Sequence, residues 1–175
     1  LDKTFPPDPR LQNEAMALLK NGHEVLLFCL HYGDQIAYEK MEGLEIFRYR
    51  SSRLLYKTSA LVYTIPVYTR IMAKKIRDFL KKNRVEVIHV HDMVVAEAVH
   101  RANKEFKLPV VLDLHENRPE IMKEYPHLKK MPNKYLISPE KWKNVEGGLI
   151  RKSGKTIVVT AEAKEESLKR KLVDE

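Results

Sequence analysis

The chain has 175 residues, 43% of them hydrophobic and 32% charged, which is the size of one domain with enough apolar content for a real core. A formal net charge of +8 favours acidic partners, such as phosphate-bearing ligands or anionic membrane surfaces, without choosing among them. A lone cysteine, Cys29, lies in the apolar run HEVLLFCL and reads as a buried core thiol, which excludes a disulfide framework and fits a reducing compartment. No apolar run is long enough to span a bilayer, and a leader peptide is not expected.

Hydrophobic period and length predict the elements in order. LQNEAMALLKN, from Leu11 to Asn21, places Leu11, Ala15, Leu18 and Leu19 on one helical face, and Gly22 follows where a helix would stop. His23 to Leu30 is a nearly continuous apolar run, as expected of a strand buried on both faces. Gly43 signals a turn, and the alternating LEIFRYR from Leu44 to Arg50 predicts a second strand. Leu54 to Lys82 has helical character but should be split at Pro66, whose ring crowds the preceding turn and whose nitrogen has no hydrogen to donate.

VEVIHVHD predicts a third strand from Val85 to Asp92, followed by a helix from Met93 to Phe106. VVLDLH predicts a fourth strand from Val110 to His115. Arg118 to Lys155 is mixed, with a helix expected from about Pro139 to Arg151; the Pro- and Lys-rich stretch from Tyr125 to Pro139 is the weakly ordered candidate. TIVVTA predicts a fifth strand from Thr156 to Ala161, and Ala163 to Leu172 a charged helix.

Strands alternating with helices imply βαβ crossovers: an α/β, Rossmann-like, doubly wound parallel sheet with helices on both faces. Such a sheet starts from its middle. The first helix therefore needs a strand before it, and only Leu1 and Asp2 stand where that strand should end, so a truncated first strand is expected.

In open α/β sheets ligands bind at the carboxyl ends of the strands. Polar residues gather there: Asp2 to Arg10 before the first helix, His89, His91 and Asp92 after the third strand, and Asp113, His115 and Glu116 after the fourth. H-x-H-D with Asp113 and His115 nearby also has the residue types of a metal site, which keeps a metal-dependent hydrolase among the alternatives. His89, ahead of the strand end, reads as a hydrogen-bonded core residue. Asp92 is also a suitable N-cap for the helix that follows, and Asp113 reads as a residue that fixes the rim loops. The basic content leaves a third alternative, a non-catalytic Rossmann-like binding module, although no nucleic-acid motif is present and no nucleic-acid partner is expected.

Four stretches together resemble glycosyltransferase family 4, the group 1 glycosyltransferases of GT-B fold. TFPPDPRLQNEAMALLKNGHEV is similar to that family's opening loop, Arg, EA-x-x-L helix and GHEV strand start; VIHVHD and LDLHE resemble two of its strand ends, and IVVTAEAKEESL its V-S-x-x-x-x-x-x-L segment. The resemblance implies that the 175 residues are the N-terminal, acceptor-side domain of a two-domain enzyme, the donor-binding domain lying outside them. It implies a hexosyltransferase-type transfer from a UDP-, GDP- or ADP-sugar to a lipid, glycan or small-molecule acceptor, with retention and with no metal or other cofactor required. The fragment alone would be inactive.

By the same resemblance, His115 and Asp92 are the catalytic candidates. His115 matches the histidine that approaches the donor sugar, and Asp92 would orient an acceptor hydroxyl. His91, Glu116, Asn117 and Arg10 are the implied sugar- or phosphate-binding residues. Many members carry a GG pair in the first loop, where this chain has PPDPR. Aromatic and basic residues interleave from Arg53 to Lys82, which reads either as a core-packed helix pair with a solvated basic face or as a surface touching anionic lipid. The expected location is cytoplasmic, with peripheral contact at the inner face of the cell membrane.

Overall fold

The computed structural model describes residues 1–126 and 137–172. Contacts divide the chain into two compact units, Leu1–Tyr56 and Lys57–Glu175. Most of the stretch singled out as weakly ordered lies outside the described residues.

In the first unit, helix α1 (Pro9–Lys20) begins on Asp8, whose carboxylate accepts from the Leu11 amide at 3.1 Å. Strand β1 (Leu26–His31) pairs in parallel with β3 (Leu44–Arg50), in the register Leu27 to Ile46 and Cys29 to Arg48. A strand the sequence did not disclose, β2 (Tyr38–Met41), pairs antiparallel with β3. It is joined through Glu42 and Gly43, both at positive φ, as a tight two-residue hairpin turn requires. Leu1 and Asp2, expected at the end of an opening strand, run with Lys3 beside β1: the Leu1 ammonium donates to Phe28 O and the Leu30 amide to Lys3 O, each at 3.0 Å.

The core here is Phe5, Leu11, Ala15, Leu27, Cys29, Leu44 and Ile46. Each fully buried Phe, Leu or Ile contributes about 1.5–3 kcal/mol by leaving water. Cys29 is fully buried, as expected, and burial pushes its thiol pKa up. Arg48 is buried on the strand and spends its donors on Phe5 O (3.1 Å), Ile36 O (3.2 Å) and Glu39 (2.5 Å).

The long helical stretch is divided where the sequence placed the break. Helix α2 (Arg53–Thr58) and a 3₁₀ turn (Ser59–Leu61) precede Pro66, which caps α3 (Val67–Lys82). Tyr68, Met72, Ile76, Phe79 and Leu80 share the buried face of α3, which packs on α4 (Met93–Asn103). One apolar face of α3 is thus core-packed, while Leu54 and Tyr56 of α2 are exposed. Thr64, Ile65, Val67, Arg70, Ile71 and Lys74 remain exposed.

The second unit is built on three parallel strands in the order β4 (Ile88–His91), β5 (Val110–Leu114), β6 (Lys155–Val158). They alternate with α4, with α5 (Arg118–Lys123) and α6 (Pro139–Lys152), and with α7 (Ala161–Lys169). This is the α/β alternation about a parallel sheet that the sequence predicts, with the hydrogen-bonded strands forming two three-stranded sheets. The short α5 was hidden in the mixed segment; Asn117 starts it by accepting from the Glu120 amide at 3.4 Å.

Candidate functional site

Two alternations and one register build the centre of the second unit. Side chains two apart on a strand share a face, so His89 and His91 lie together on β4, and Asp113 and His115 together at the end of β5. The parallel pairing sets His91 beside Asp113. His89 and His91 stack with centroids 4.5 Å apart, and the His91 and His115 rings tilt at 5.2 Å.

Asp113 is the hub. Its side chain is 3% exposed, and its Oδ1 lies 3.1 Å from His115 Nδ1 while Oδ2 lies 3.6 Å from His91 Nδ1 and 3.9 Å from His89 Nε2. A carboxylate accepts, so His115 Nδ1 carries a proton and Nε2 becomes the acceptor. His91 Nδ1 faces that Nε2 at 3.3 Å. Asp113 therefore fixes the His115 imidazole directly and meets His91 through it, a more direct role than the rim support the sequence suggested. His89 departs from its sequence reading: its side chain is 27% exposed and its Nε2 has no hydrogen-bond partner. The strand period puts it on the same face as Asp113, but its 3.9 Å separation is too long for a hydrogen bond.

Asp92 ends β4 and starts α4. Its Oδ1 accepts from the Met93 amide at 3.2 Å, so it is the helix cap. Its backbone sits at φ +73° and ψ 145°, a conformation that costs a residue with a side chain about 1–3 kcal/mol. The Asp92 amide donates to Asp113 O at 2.9 Å, which ties the strained turn to the next strand end.

Glu116 and Asn117 follow His115 and line a pocket of about 150 Å³ where β5 and β6 end, together with Glu146, Thr160, Glu166 and Arg170. Asn117 Nδ2 donates to Glu166 at 3.3 Å. Glu146 is buried; burial raises its carboxyl pKa, and Arg170, at 2.9 Å, pulls it back down. The hydrogen bond from Lys143, at 2.7 Å, holds Glu166 below the ordinary carboxylate range. Arg10 belongs to the other unit. It lies in the first turn of α1 rather than in the loop before it, because Pro9 already opens the helix, and it pairs with Glu14 at 3.5 Å.

Four residues the sequence reading passed over border the cluster. Arg118 Nη2 is 4.0 Å from Asp92 Oδ2, and its guanidinium lies over the Trp142 ring at 6.0 Å from the centroid. Tyr63 meets Trp142 edge-on at 4.8 Å and donates its hydroxyl to Met93 O; burial drives its phenol far above its ordinary range. Glu146 completes the set. No periodicity marks these residues, since they come from α5, α6 and the segment before α3.

What the arrangement offers chemically is a buried carboxylate orienting an imidazole at a strand end, a strained aspartate beside it and a pocket lined by hydroxyl-accepting groups. No curated protein matches the chain. A solved structure described as trehalose-6-phosphate from E. coli bound with UDP-2-fluoro glucose has the same fold, with a TM-score of 0.62 and 16% identity over 96% of this chain. The chain spans 40% of the length of that structure. That likeness confirms the Rossmann-like α/β architecture expected of one half of a GT-B fold. Residues 10–175, which carry all but the first part of the opening motif and every strand-end motif, match the family described as Glycosyltransferase Family 4. The chain belongs to glycosyltransferase family 4.

Proposed function

We propose that the chain is the acceptor-side domain of a longer two-domain glycosyltransferase, which moves a sugar from a nucleotide-sugar to a hydroxyl of a lipid, glycan or small-molecule acceptor with retention of configuration. The observation that carries this reading is the Asp113–His115–His91 relay at the ends of β4 and β5, with Asp92 adjacent to it in sequence and tied to Asp113 through the backbone. The donor is a nucleotide-sugar, in keeping with the UDP-2-fluoro glucose held by the structure of like fold. Most of the donor nucleotide is bound by a second domain outside these residues.

In the reaction the bond from the anomeric carbon to the diphosphate breaks, the acceptor oxygen bonds to that carbon, and the acceptor proton leaves with the nucleoside diphosphate. His115, held by Asp113, meets the donor sugar, where an imidazole serves a hydroxyl and its loop stabilises positive charge developing at the ring. Its Nε2 already faces His91, so a sugar hydroxyl takes the place of that 3.3 Å contact. Asp92 orients the acceptor hydroxyl through Oδ2, since Oδ1 is occupied by the helix cap. His91, Glu116 and Asn117 shape the rim, and Arg10 receives a phosphate. No metal is needed for these roles.

The full-length protein should release nucleoside diphosphate from at least one of a panel of UDP-, GDP- and ADP-sugars in the presence of a hydroxyl acceptor, with the sugar recovered on the acceptor by mass spectrometry. Release without transfer, or hydrolysis that needs added metal, would contradict the reading.

Membrane contact is a second part of the proposal, favoured by one surface. Val67 and Ile71 are exposed beside Arg70 and Lys74 on α3, with the exposed Ile65 just before the helix, a combination suited to the surface of an anionic bilayer. The protein then acts in the cytoplasm, peripheral at the inner face of the membrane.

A further inference from the structure

Arg118 is a half-buried guanidinium of the second unit whose donors are largely unspent. A guanidinium carries five N–H groups in a fixed fork. Arg170 in the same unit places its fork on Glu146 (2.9 Å) and on Lys143 O (2.8 Å). Arg118 has a buried Nε with no hydrogen-bond partner. Among the described residues its one ionic neighbour is Asp92, at 4.0 Å, beyond hydrogen-bond reach. Its side chain is 30% exposed, so solvent and solutes reach it. A half-buried, unspent donor set of this kind calls for a partner that completes it.

The placement indicates which partner. Arg118 is three residues past His115, at the rim where β5 ends, and its guanidinium is steadied on the buried ring of Trp142. Trp142 is itself fixed by Tyr63, whose hydroxyl is bound to Met93 O, next to Asp92. The fork thus stands on a rigid aromatic floor beside the carboxylate assigned to the acceptor hydroxyl. A planar guanidinium matches the oxygens of a phosphate or carboxylate in pairs.

We infer that Arg118 is an anion-binding residue for the acceptor: the acceptor carries a phosphate or comparable oxyanion close to the hydroxyl that is glycosylated, with Asp92 taking the hydroxyl and Arg118 the anion. The separation of the two protein groups sets the acceptor's spacing, a hydroxyl and an anionic group only a few bonds apart. The excess of basic over acidic residues in the chain, a net +8, is in keeping with an acidic substrate. This inference rests on the acceptor-side reading above, but it is tested by binding and not by turnover.

Trp142 is the single tryptophan of these 175 residues, so the emission lost in Trp142→Phe of the full-length protein isolates the signal that reports on Arg118. Inorganic phosphate titrated at constant ionic strength, with chloride as the control, should change Trp142 emission saturably. Arg118→Gln should weaken that response at least about tenfold, and Arg118→Lys, which keeps the charge and loses the fork, should weaken it less. Thermal melts of both variants establish that they fold, and the lysine variant keeps the test available if the glutamine variant does not. UDP, which presents the donor's diphosphate, should bind no more tightly than phosphate through this residue. Absence of a saturable response, a response equal in Arg118→Gln, or Arg118-dependent binding of UDP about tenfold tighter than phosphate would each overturn the acceptor assignment. Any of these would leave sugar transfer by the full-length protein unaffected as a separate question.

Discussion

Asp113 Oδ1 lies 3.1 Å from His115 Nδ1 across the end of one strand, and this contact decides which nitrogen of His115 is left to work with. Asp113→Asn replaces an acceptor by a group that can also donate, so the imidazole loses its fixed tautomer and orientation. In the full-length enzyme turnover should fall about 100-fold, the scale expected when a reacting group is misplaced by about an ångström. Steady-state kinetics beside a thermal melt separates this from unfolding, and unchanged kcat would remove Asp113 from the account.

Asp92 sits at φ +73°, where a glycine would be unstrained. Asp92→Gly should relieve about 1–3 kcal/mol of backbone strain, while exchanging the capping residue for glycine costs only a few tenths of a kcal/mol. The variant should be at least as stable as the parent in denaturant titration and yet lose most of its turnover. A loss of more than about 1 kcal/mol would mean that the aspartate is there for the fold and the strain is offset locally.

Glu146 is a buried carboxyl whose pKa is raised by burial and lowered again by Arg170, with the raising effect larger. A raised folded pKa means that the native state binds the proton more tightly than the unfolded chain does. Its stabilising contribution is complete below the ordinary carboxylate pKa and is lost as pH rises through the folded value. The stability difference between the parent and Glu146→Gln should therefore shift against the parent as pH increases over that window, in urea titrations at matched ionic strength. The opposite slope would place Glu146 in a well-solvated pair. Removing the partner is harsher: Arg170→Met leaves the carboxyl unpaired and should cost about 3–5 kcal/mol at neutral pH.

Arg70 and Lys74 flank the exposed Ile71. If this face meets lipid, Arg70→Glu with Lys74→Glu should reduce sedimentation with phosphatidylserine vesicles by far more than about 30-fold, since each basic residue near an anionic surface is worth about 1 kcal/mol and the new acids are repelled. Binding to neutral vesicles should be weak for parent and variant alike. Equal binding by both to anionic vesicles would rule out this face.

How much of this was legible in the sequence follows from what each signal is made of. The parallel strands, the break at Pro66 and the strand-end residues His91, Asp92 and His115 are local: apolar period, a missing amide hydrogen and positions relative to a strand terminus all travel with the chain itself. The hairpin strand Tyr38–Met41 was missed because it is short and mostly polar; its one clear mark, the Glu42–Gly43 turn, was read only as a boundary. Helix α5 has only six residues and lies in a proline-containing segment, too short for any period to show. The hub role of Asp113 depends on the β4–β5 register, and the aromatic floor under Arg118 on packing between distant segments, neither of which a single sequence encodes locally. His89 was misjudged for the same reason: strand alternation puts it on the right face but does not say that Asp113 would spend its closest contact on His115.

In the proposed function His115 acts on the donor sugar while another domain holds the nucleotide. The measurement that tests it most directly is His115→Ala in the full-length enzyme, with kcat from sugar transfer and the nucleoside diphosphate Kd from calorimetry on the same preparation. The expected result is a fall in kcat of about 100-fold or more with Kd changed less than about threefold. Equal losses in turnover and nucleotide affinity, or turnover left intact, would contradict it.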